Sequence, residues 1–143
     1  MNLARDTLGA QDRNESAFIY RQMKEEYDRV TYGAVEGPAT AMRAALADGG
    51  IDPSETGYIN AHGTGTPAND PVETRAVREV FGQHAGRLVM SSTKSMHGHL
   101  VGAAGALKAA ITALALQQRR IPPTAFLTAP DPACDLDLVP ERG

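Results

Sequence analysis

The sequence is short of the residues that several kinds of protein require. It has one cysteine among 143 residues and no tryptophan. A single cysteine excludes an internal disulfide framework and any metal site built from several thiolates, and it is compatible with a reducing compartment. The cytoplasm is therefore the expected location.

An excess of charge of one sign is also missing. The 14 basic and 17 acidic residues give a net charge of -3, and the basic residues are scattered along the chain. Scattered Lys and Arg do not form a stripe that could follow a phosphate backbone, so nucleic acid is not an expected partner. The first twenty residues lack a continuous apolar core and a small-residue cleavage site, so they do not resemble a secretory signal.

The longest apolar stretch, from Leu100 to Leu116, is interrupted by a lysine. Its length would nearly span a bilayer, but Lys108 at its middle would cost about 2.5–3.5 kcal/mol there. We therefore predict no membrane span. The stretch is predicted to form a buried core helix, in which Gly102, Gly105 and the many alanines permit close packing against neighbours.

The proportions of hydrophobic and charged residues are typical of one globular domain. Hydrophobic residues make up 42% of the chain and charged residues 22%. A chain of this length can bury roughly two thirds of its unfolded surface, which is enough for a single core.

Two helices are predicted before residue 50. Apolar side chains at helical spacing between residues 14 and 30 predict an amphipathic helix there. A second helix is predicted to begin near Pro38 and to end at Gly49 and Gly50. The side chains that define the first helix are Tyr20, Met23, Tyr27 and Val30.

The middle of the chain alternates between strand and helix patterns. YINA and LVMSS are predicted strands, and each precedes a loop and then a helix, first PVETRAVREVFG and later the long apolar stretch. This alternation predicts an α/β fold, with LDLVP as a possible last strand. In such sheets ligands bind beyond the carboxyl ends of strands, so we expect the loops at 62–70 and 93–99 to carry the chemistry.

Both loops are rich in groups that donate or accept protons and hydrogen bonds. Histidines and a lysine opposite acids are what a site needs in order to stabilise a developing oxyanion. His99 is expected at the start of the following helix, where the positive helix terminus favours a neutral imidazole. The groups are His62, Thr64, Thr66, Asp70 and Glu73 in the first loop, and Lys94, His97 and His99 in the second, TKSMHGH.

Other interpretations of these residues stay open at this point. His97 and His99 form an H-x-H pair that could bind zinc with His62 or Asp70, although no cysteine assists. GTGTP resembles a phosphate cradle but lacks both the Walker ending and the dinucleotide spacing. The lysine and the acids could form a solvated surface pair, and the threonines could serve the turn alone.

Three segments taken in order resemble a known family. NAHGTGTPANDPVET, SSTKSMHGHLVGAAGA and IPPTAFLTAPDPACDLDLVP resemble the C-terminal half of a β-ketoacyl-[acyl-carrier-protein] synthase, the condensing enzyme of fatty-acid and polyketide assembly. The resemblance covers residues 36–140. It implies half of a thiolase-like layered α/β fold, with a mixed sheet covered by helices and truncated at both ends. Residues 33–143 are then an incomplete C-terminal domain, and residues 1–32 are an unassigned helical segment.

The resemblance also implies catalytic roles. His62 and His99 match the two catalytic histidines, Lys94 matches the family lysine, and Glu73 matches the acid that pairs with that lysine. In this family malonyl on an acyl carrier protein loses carbon dioxide, and the resulting enolate attacks an acyl group held on a cysteine. Two neutral histidines would stabilise the enolate oxygen.

The same resemblance implies how substrate and partners bind. Thr64 and Thr66 match threonines that hydrogen-bond the pantetheine arm, whereas His97 stands where fatty-acid members usually have threonine. The implied partner is an acyl carrier protein with a phosphopantetheine-linked acyl substrate. No cofactor and no metal are implied.

The chain also departs from the family. The family nucleophile lies in the N-terminal half, and Cys134 does not match it. Asp131, Asp135 and Asp137 near Cys134 disfavour a thiolate. We therefore expect an N-terminal half to supply the cysteine, and we expect this chain alone to perform no acyl transfer.

The incomplete sheet leads to two further expectations. An exposed sheet edge favours pairing with another chain, so we expect a homo- or hetero-oligomer. The alternative to an enzyme is a non-catalytic scaffold or interaction chain derived from the same family, which the missing cysteine would permit.

Overall fold

The computed structural model describes residues 36–140. The amphipathic helix expected between residues 14 and 30 therefore lies outside the described residues. Within residues 36–140, no helix is both long enough and apolar enough to cross a membrane.

The described residues confirm the predicted alternation of helix and strand. The helix expected near Pro38, the strands within YINA and LVMSS, and the helix at PVETRAVREVFG all form. In chain order the elements are α1 (Glu36–Gly49), β1 (Tyr58–Asn60), α2 (Asp70–Phe81), β2 (Val89–Ser91), α3 (Lys94–His97) and α4 (Ala104–Gln118). Short 3-10 turns lie at Pro53–Glu55, Gly82–Arg87 and Val101–Ala103.

The two strands are parallel neighbours. Ile59 lies opposite Met90, and the pairing continues beyond β1, where the Ala61 amide donates to the Ser91 carbonyl at 2.9 Å. Parallel strands end at the same edge of a sheet, so the loops after β1 and β2 emerge side by side.

The last strand predicted at LDLVP is present only as isolated parallel bridges. Asp137 bridges to Val89, and Pro140 bridges to Thr124. Between these two bridges Val139 adopts a φ of 46°, and its amide turns back to the Asp137 carboxylate at 3.2 Å. That turn breaks the extended backbone that a continuous strand requires.

The core lies where α1 and α2 meet the strands. Helix α2 has Pro71 in its first turn, where the missing amide hydrogen costs no intrahelical hydrogen bond. The negative charges of Asp70 and Glu73 in the same turn stabilise the helix by interacting with its positive N-terminus. The helix buries Val77 and Phe81 on its inner face. The buried cluster comprises Leu46, Ala61, Val77, Phe81, Ala85, Leu88 and Met90.

The prediction of a buried core helix in the long apolar stretch is wrong for the described residues. Helix α4 begins at Ala104, the one residue of the helix that is buried, and Leu114 and Leu116 are 51% and 60% exposed. Helices α1 and α2 pack against each other, and within residues 36–140 neither packs along α4. Hydrophobic composition predicts that a helix can be buried, but burial also needs a neighbouring element.

The segment TKSMHGH, predicted as a loop, contains one helical turn. Residues Lys94–His97 form α3, which ends at Gly98 in the left-handed conformation with a φ of 76°. The Gly98 amide donates to the Lys94 carbonyl at 2.8 Å. This turn fixes the lysine and the histidines of the second loop relative to the end of β2.

Candidate active site

The two loops that follow β1 and β2 line an open cavity. Its volume is about 570 Å³. The lining contains side chains from both loops and from the segment after α4, among them Thr64, Thr66, Lys94, His99 and Phe126.

Acids in the first turn of α2 hold the backbone of the first loop. The Glu73 carboxylate accepts the His62 amide at 2.7 Å and the Gly63 amide at 2.9 Å. Asp70 accepts the Thr64 amide at 3.1 Å. Glu73 is only 5% exposed, so these bonds also compensate for burial of its charge.

A close approach between Gly63 and Ser92 joins the first loop to the second. Gly63 has a φ of 41°, and a Cβ on it would lie 2.4 Å from the Ser92 Cβ. The Ser92 hydroxyl donates to the Gly63 carbonyl at 2.6 Å, and the Ser92 amide donates to the Thr124 hydroxyl at 3.1 Å. The roles of Ser92 and Thr124 could not be predicted from the sequence, because no spacing pattern relates them to Gly63.

Lys94 determines the proton position on His62. The Lys94 ammonium is buried, donates to the His62 carbonyl, and lies 3.4 Å from the His62 Nδ1. An ammonium group has no acceptor, so Nδ1 must accept and the neutral ring carries its proton on Nε2.

The surroundings of His62 favour its neutral form. Burial lowers the pKa of His62 from its ordinary 6.5 to about 4, with smaller contributions from the charges of Lys94 and Lys108. Asp70 acts in the opposite direction but is the weakest of these influences. His62 is therefore an uncharged hydrogen-bond donor at neutral pH.

The structure connects Lys94 and Glu73 through the residue that both contact. Glu73 accepts the His62 amide, whereas Lys94 donates to the His62 carbonyl. The lysine and the acid that the resemblance implies as a pair therefore both bond to the His62 backbone. The lysine and the acid together fix the peptide groups on both sides of the histidine.

His99 is exposed and also has a defined proton position. The Val101 amide donates to His99 Nδ1 at 3.0 Å, so a neutral ring carries its proton on Nε2. Val101 adopts a φ of 47°, which a β-branched residue rarely does, and this conformation turns its amide back toward the ring. The expectation that His99 lies at the start of a helix is wrong, because α4 begins at Ala104 after a 3-10 turn.

The two imidazoles meet above the sheet edge. The ring centroids of His62 and His99 are 5.5 Å apart, and the rings are nearly perpendicular, at 82°. Because Nδ1 is occupied on each ring, each neutral imidazole carries its proton on Nε2. His99 lines the cavity and His62 lies directly beside it. Two neighbouring neutral imidazoles that donate through N–H can stabilise negative charge that develops on a substrate oxygen.

Thr64 and Thr66 lie at the cavity with their hydroxyls together. Their Oγ1 atoms are 2.9 Å apart, and Thr66 Oγ1 accepts the Asn69 amide at 3.3 Å. The pair therefore serves the turn and still lines the cavity, where hydroxyls can bind polar groups of a ligand.

His97 uses its ring nitrogens within its own segment. They lie 2.8 Å from the Gly98 carbonyl and 3.1 Å from the Thr93 hydroxyl. In the part of the chain that the structure describes, no three His, Cys, Asp or Glu side chains are grouped so that they could hold a metal ion.

Cys134 is buried and does not favour its thiolate. Burial is the largest influence and raises the pKa of the thiol, the Thr74 hydroxyl lowers it by less, and the carboxylates of Asp70, Asp131 and Asp135 each raise it by a smaller amount still. The carboxylates on which the sequence prediction relied are therefore a lesser cause than burial. A neutral buried thiol is a poor nucleophile.

Comparison with protein families places the site in context. The family described as β-ketoacyl synthase, C-terminal domain, matches residues 20–128. Nodulation protein E from a Rhizobium species is 56% identical over 107 residues, which cover 75% of this chain and 27% of that protein. The 3-oxoacyl-[acyl-carrier-protein] synthase 2 of Coxiella burnetii is 55% identical over 107 residues, covering 75% of this chain and 26% of that protein.

Solved structures give the same result. A β-ketoacyl synthase from Burkholderia phymatum matches with a TM-score of 0.71 and 40% identity, covering 77% of this chain and 26% of that chain. A ketosynthase in complex with its type II PKS acyl-carrier protein matches with a TM-score of 0.73 and 37% identity, covering 76% and 27%. The chain spans about a quarter of the length of the relatives that it matches.

Proposed function

Because this chain belongs to the β-ketoacyl synthase family, whose C-terminal domain it matches, we propose that it supplies the enolate-stabilising part of a β-ketoacyl-[acyl-carrier-protein] synthase. The reaction is a decarboxylative Claisen condensation in fatty-acid or polyketide biosynthesis. We assign residues 33–143 to this domain. The observation that carries the proposal is that two imidazoles lie side by side, with ring centroids 5.5 Å apart, and that each neutral ring carries its proton on Nε2.

His62 and His99 act on the malonyl thioester. When the bond to the carboxylate breaks, its electron pair moves into the thioester and negative charge develops on the carbonyl oxygen. Donation from the two Nε2–H groups stabilises that oxygen, and one donor of this kind is typically worth about 2.7–4 kcal/mol. The enolate carbon then attacks an acyl thioester, and the thiolate leaves.

Lys94 and Glu73 are positioning residues in this proposal. Lys94 holds His62 in the tautomer that directs a proton from Nε2, and its charge disfavours imidazolium. Glu73 fixes the backbone that carries the ring. Thr64 and Thr66 bind the pantetheine arm that delivers the substrate.

An acyl carrier protein is the proposed partner, and a relative was solved in complex with its own acyl-carrier protein. An N-terminal half that carries the nucleophilic cysteine is the second proposed partner, because Cys134 is buried as a neutral thiol. We propose a homo- or hetero-oligomeric enzyme that needs no metal and no cofactor.

A chimera tests this function. Residues 36–140 would replace the matching segment of the Coxiella burnetii synthase, to which the chain is 55% identical over 107 residues. Decarboxylation of the malonyl carrier is measured as release of carbon dioxide. Acyl loading of the cysteine is measured by intact mass. His62→Ala or His99→Ala should slow decarboxylation about 10²–10³-fold while loading persists, since only the enolate uses the donors.

His84→Ala is the matched control, because this ring contacts the Thr56 carbonyl, away from the two loops. It should leave decarboxylation unchanged. Equal loss of loading and decarboxylation in the His62 and His99 variants would indicate a collapsed fold and contradict the assigned roles. A chimera that loads its cysteine but does not decarboxylate would favour a non-catalytic scaffold.

A further inference from the structure

Phe126 combines two features that are unfavourable for a folded chain. It is 81% exposed, more than the other exposed large apolar side chains within residues 36–140. Its φ is 63°, in the left-handed region that bulky residues seldom adopt. Strained backbone positions that persist are often found at ligand sites, so the ring calls for a functional explanation.

The turn that presents Phe126 is fixed by its neighbours. The Ala125 amide donates to the Ser95 hydroxyl at 2.8 Å, and the Leu127 amide donates to the Thr124 carbonyl at 3.4 Å. Thr124 in turn donates to the Leu138 carbonyl at 2.7 Å. Ser95 follows Lys94 in α3, so the backbone just before Phe126 is bonded to the same short helix that carries the lysine.

Phe126 lines the same cavity as the proposed binding residues. Thr64, Thr66, His99 and Phe126 all contribute to its wall. The threonines offer hydroxyls, whereas Phe126 offers an apolar face. These complementary surfaces suit a ligand that carries amides and hydrocarbon groups along one extended chain.

We propose that Phe126 packs against the hydrocarbon part of the pantetheine arm of the thioester substrate. The proposal rests on the proposed function and adds a specificity-determining residue to it. Phe126 has no titratable group, so it contributes to binding of the arm and takes no part in proton transfer. Thr64 and Thr66 bind the polar groups of the same arm.

Binding of S-acetyl-pantetheine to the full chain tests the inference. Phe126→Asn removes the ring, and asparagine tolerates the left-handed backbone, so the variant should keep the Tm of the wild type or exceed it. Its Kd, from calorimetry, should rise about three- to tenfold, the change expected for loss of one aromatic contact. Phe126→Tyr keeps the ring and should restore the affinity.

Leu116→Asn is the control, because Leu116 is a 60% exposed apolar residue outside the cavity lining. It should leave the Kd unchanged. In the wild type, saturation of the Phe126 ring protons should transfer to the geminal methyl groups of the ligand in NMR spectra.

Two results would overturn the inference in distinguishable ways. An unchanged Kd in Phe126→Asn, together with a weakened Kd in Thr64→Val, would reject the role of Phe126 and leave the proposed function standing. Failure of the wild-type chain to bind the probe would contradict the proposed pantetheine site itself, and the inference with it.

Discussion

At the scale of single residues, each imidazole of the site has its Nδ1 occupied by one neighbour. Lys94 lies 3.4 Å from His62 Nδ1, and the Val101 amide donates to His99 Nδ1 at 3.0 Å. These contacts leave Nε2–H as the donor on both rings. His62 is further kept neutral by burial and by nearby positive charge. Neutral donors suit an oxyanion because they do not give up a proton to it prematurely.

The first prediction concerns the charge near His62. Lys94→Met should raise the pKa of His62 from about 4 toward its ordinary 6.5, and Lys108→Met should raise it by less, because Lys108 contributes less to the lowering. NMR titration of the imidazole carbon protons measures both values.

Arg43→Met is the control for that titration. It also removes one positive charge, but from an exposed ion pair with Glu79 in which the charged atoms are 2.7 Å apart. The pKa of His62 should not change in this variant. An equal shift in all three variants would show that net charge, rather than local geometry, controls the ring.

At the scale of elements, the loops after β1 and β2 form one unit. The Ser92 hydroxyl donates to the Gly63 carbonyl, and Lys94 donates to the His62 carbonyl, so two contacts cross between the loops. Glu73 and Asp70 of α2 accept hydrogen bonds from backbone amides of the first loop. The proposed catalytic role depends on these contacts between the loops, because they set the distance between the two imidazoles.

The second prediction compares two glycines of the first loop. A Cβ at Gly63 would meet the Ser92 side chain, whereas a Cβ at Gly65, with a φ of 70°, would meet nothing within 4 Å. Gly65→Ala should therefore cost only left-handed strain, about 1–2 kcal/mol. Gly63→Ala should cost about 1–3 kcal/mol more, because the loops must also separate.

Urea denaturation of the two alanine variants measures the difference in the free energy of unfolding. If both variants lose the same stability, the loops are not in the close contact described here.

The sequence was sufficient for elements whose signals are local. Helical spacing and proline or glycine at the ends predicted α1 and α2, and residue type selected His62, Lys94 and His99 as site candidates. Val101, Ser92 and Phe126 were not predicted, because their roles depend on a left-handed backbone or on partners distant in sequence. The strand expected at LDLVP failed for a related reason, since the turn at Val139 is not marked by glycine.

At the scale of the whole molecule, the buried apolar core and the exposed apolar surface lie in different parts of the described chain. Leu88 belongs to the cluster between the helices and the strands and is 1% exposed. Leu116, on α4, is 60% exposed. Leucine is thus buried in the segment around Leu88 and exposed on α4, and amino-acid composition alone could not distinguish the two environments.

The third prediction follows from this contrast. Leu88→Ala should lower the free energy of unfolding by about 2–5 kcal/mol, because it leaves a cavity in the core. Leu116→Ala should change it by no more than about 0.5 kcal/mol, as expected for a surface position. Chemical denaturation of the purified chain provides both values, and a large loss in Leu116→Ala would mean that α4 is packed in solution.

The central claim is that the neutral rings of His62 and His99 both carry their proton on Nε2, and ¹⁵N NMR of the imidazole nitrogens tests it most directly. In alkaline solution both rings should show the pattern of the Nε2–H tautomer, and His62 should keep it as the pH falls until it approaches about 4. His84→Ala, His97→Ala and His99→Ala variants identify the four histidine signals by elimination. An imidazolium pattern for His62 at pH 7, or protonated Nδ1 on a neutral ring at either position, would contradict the account.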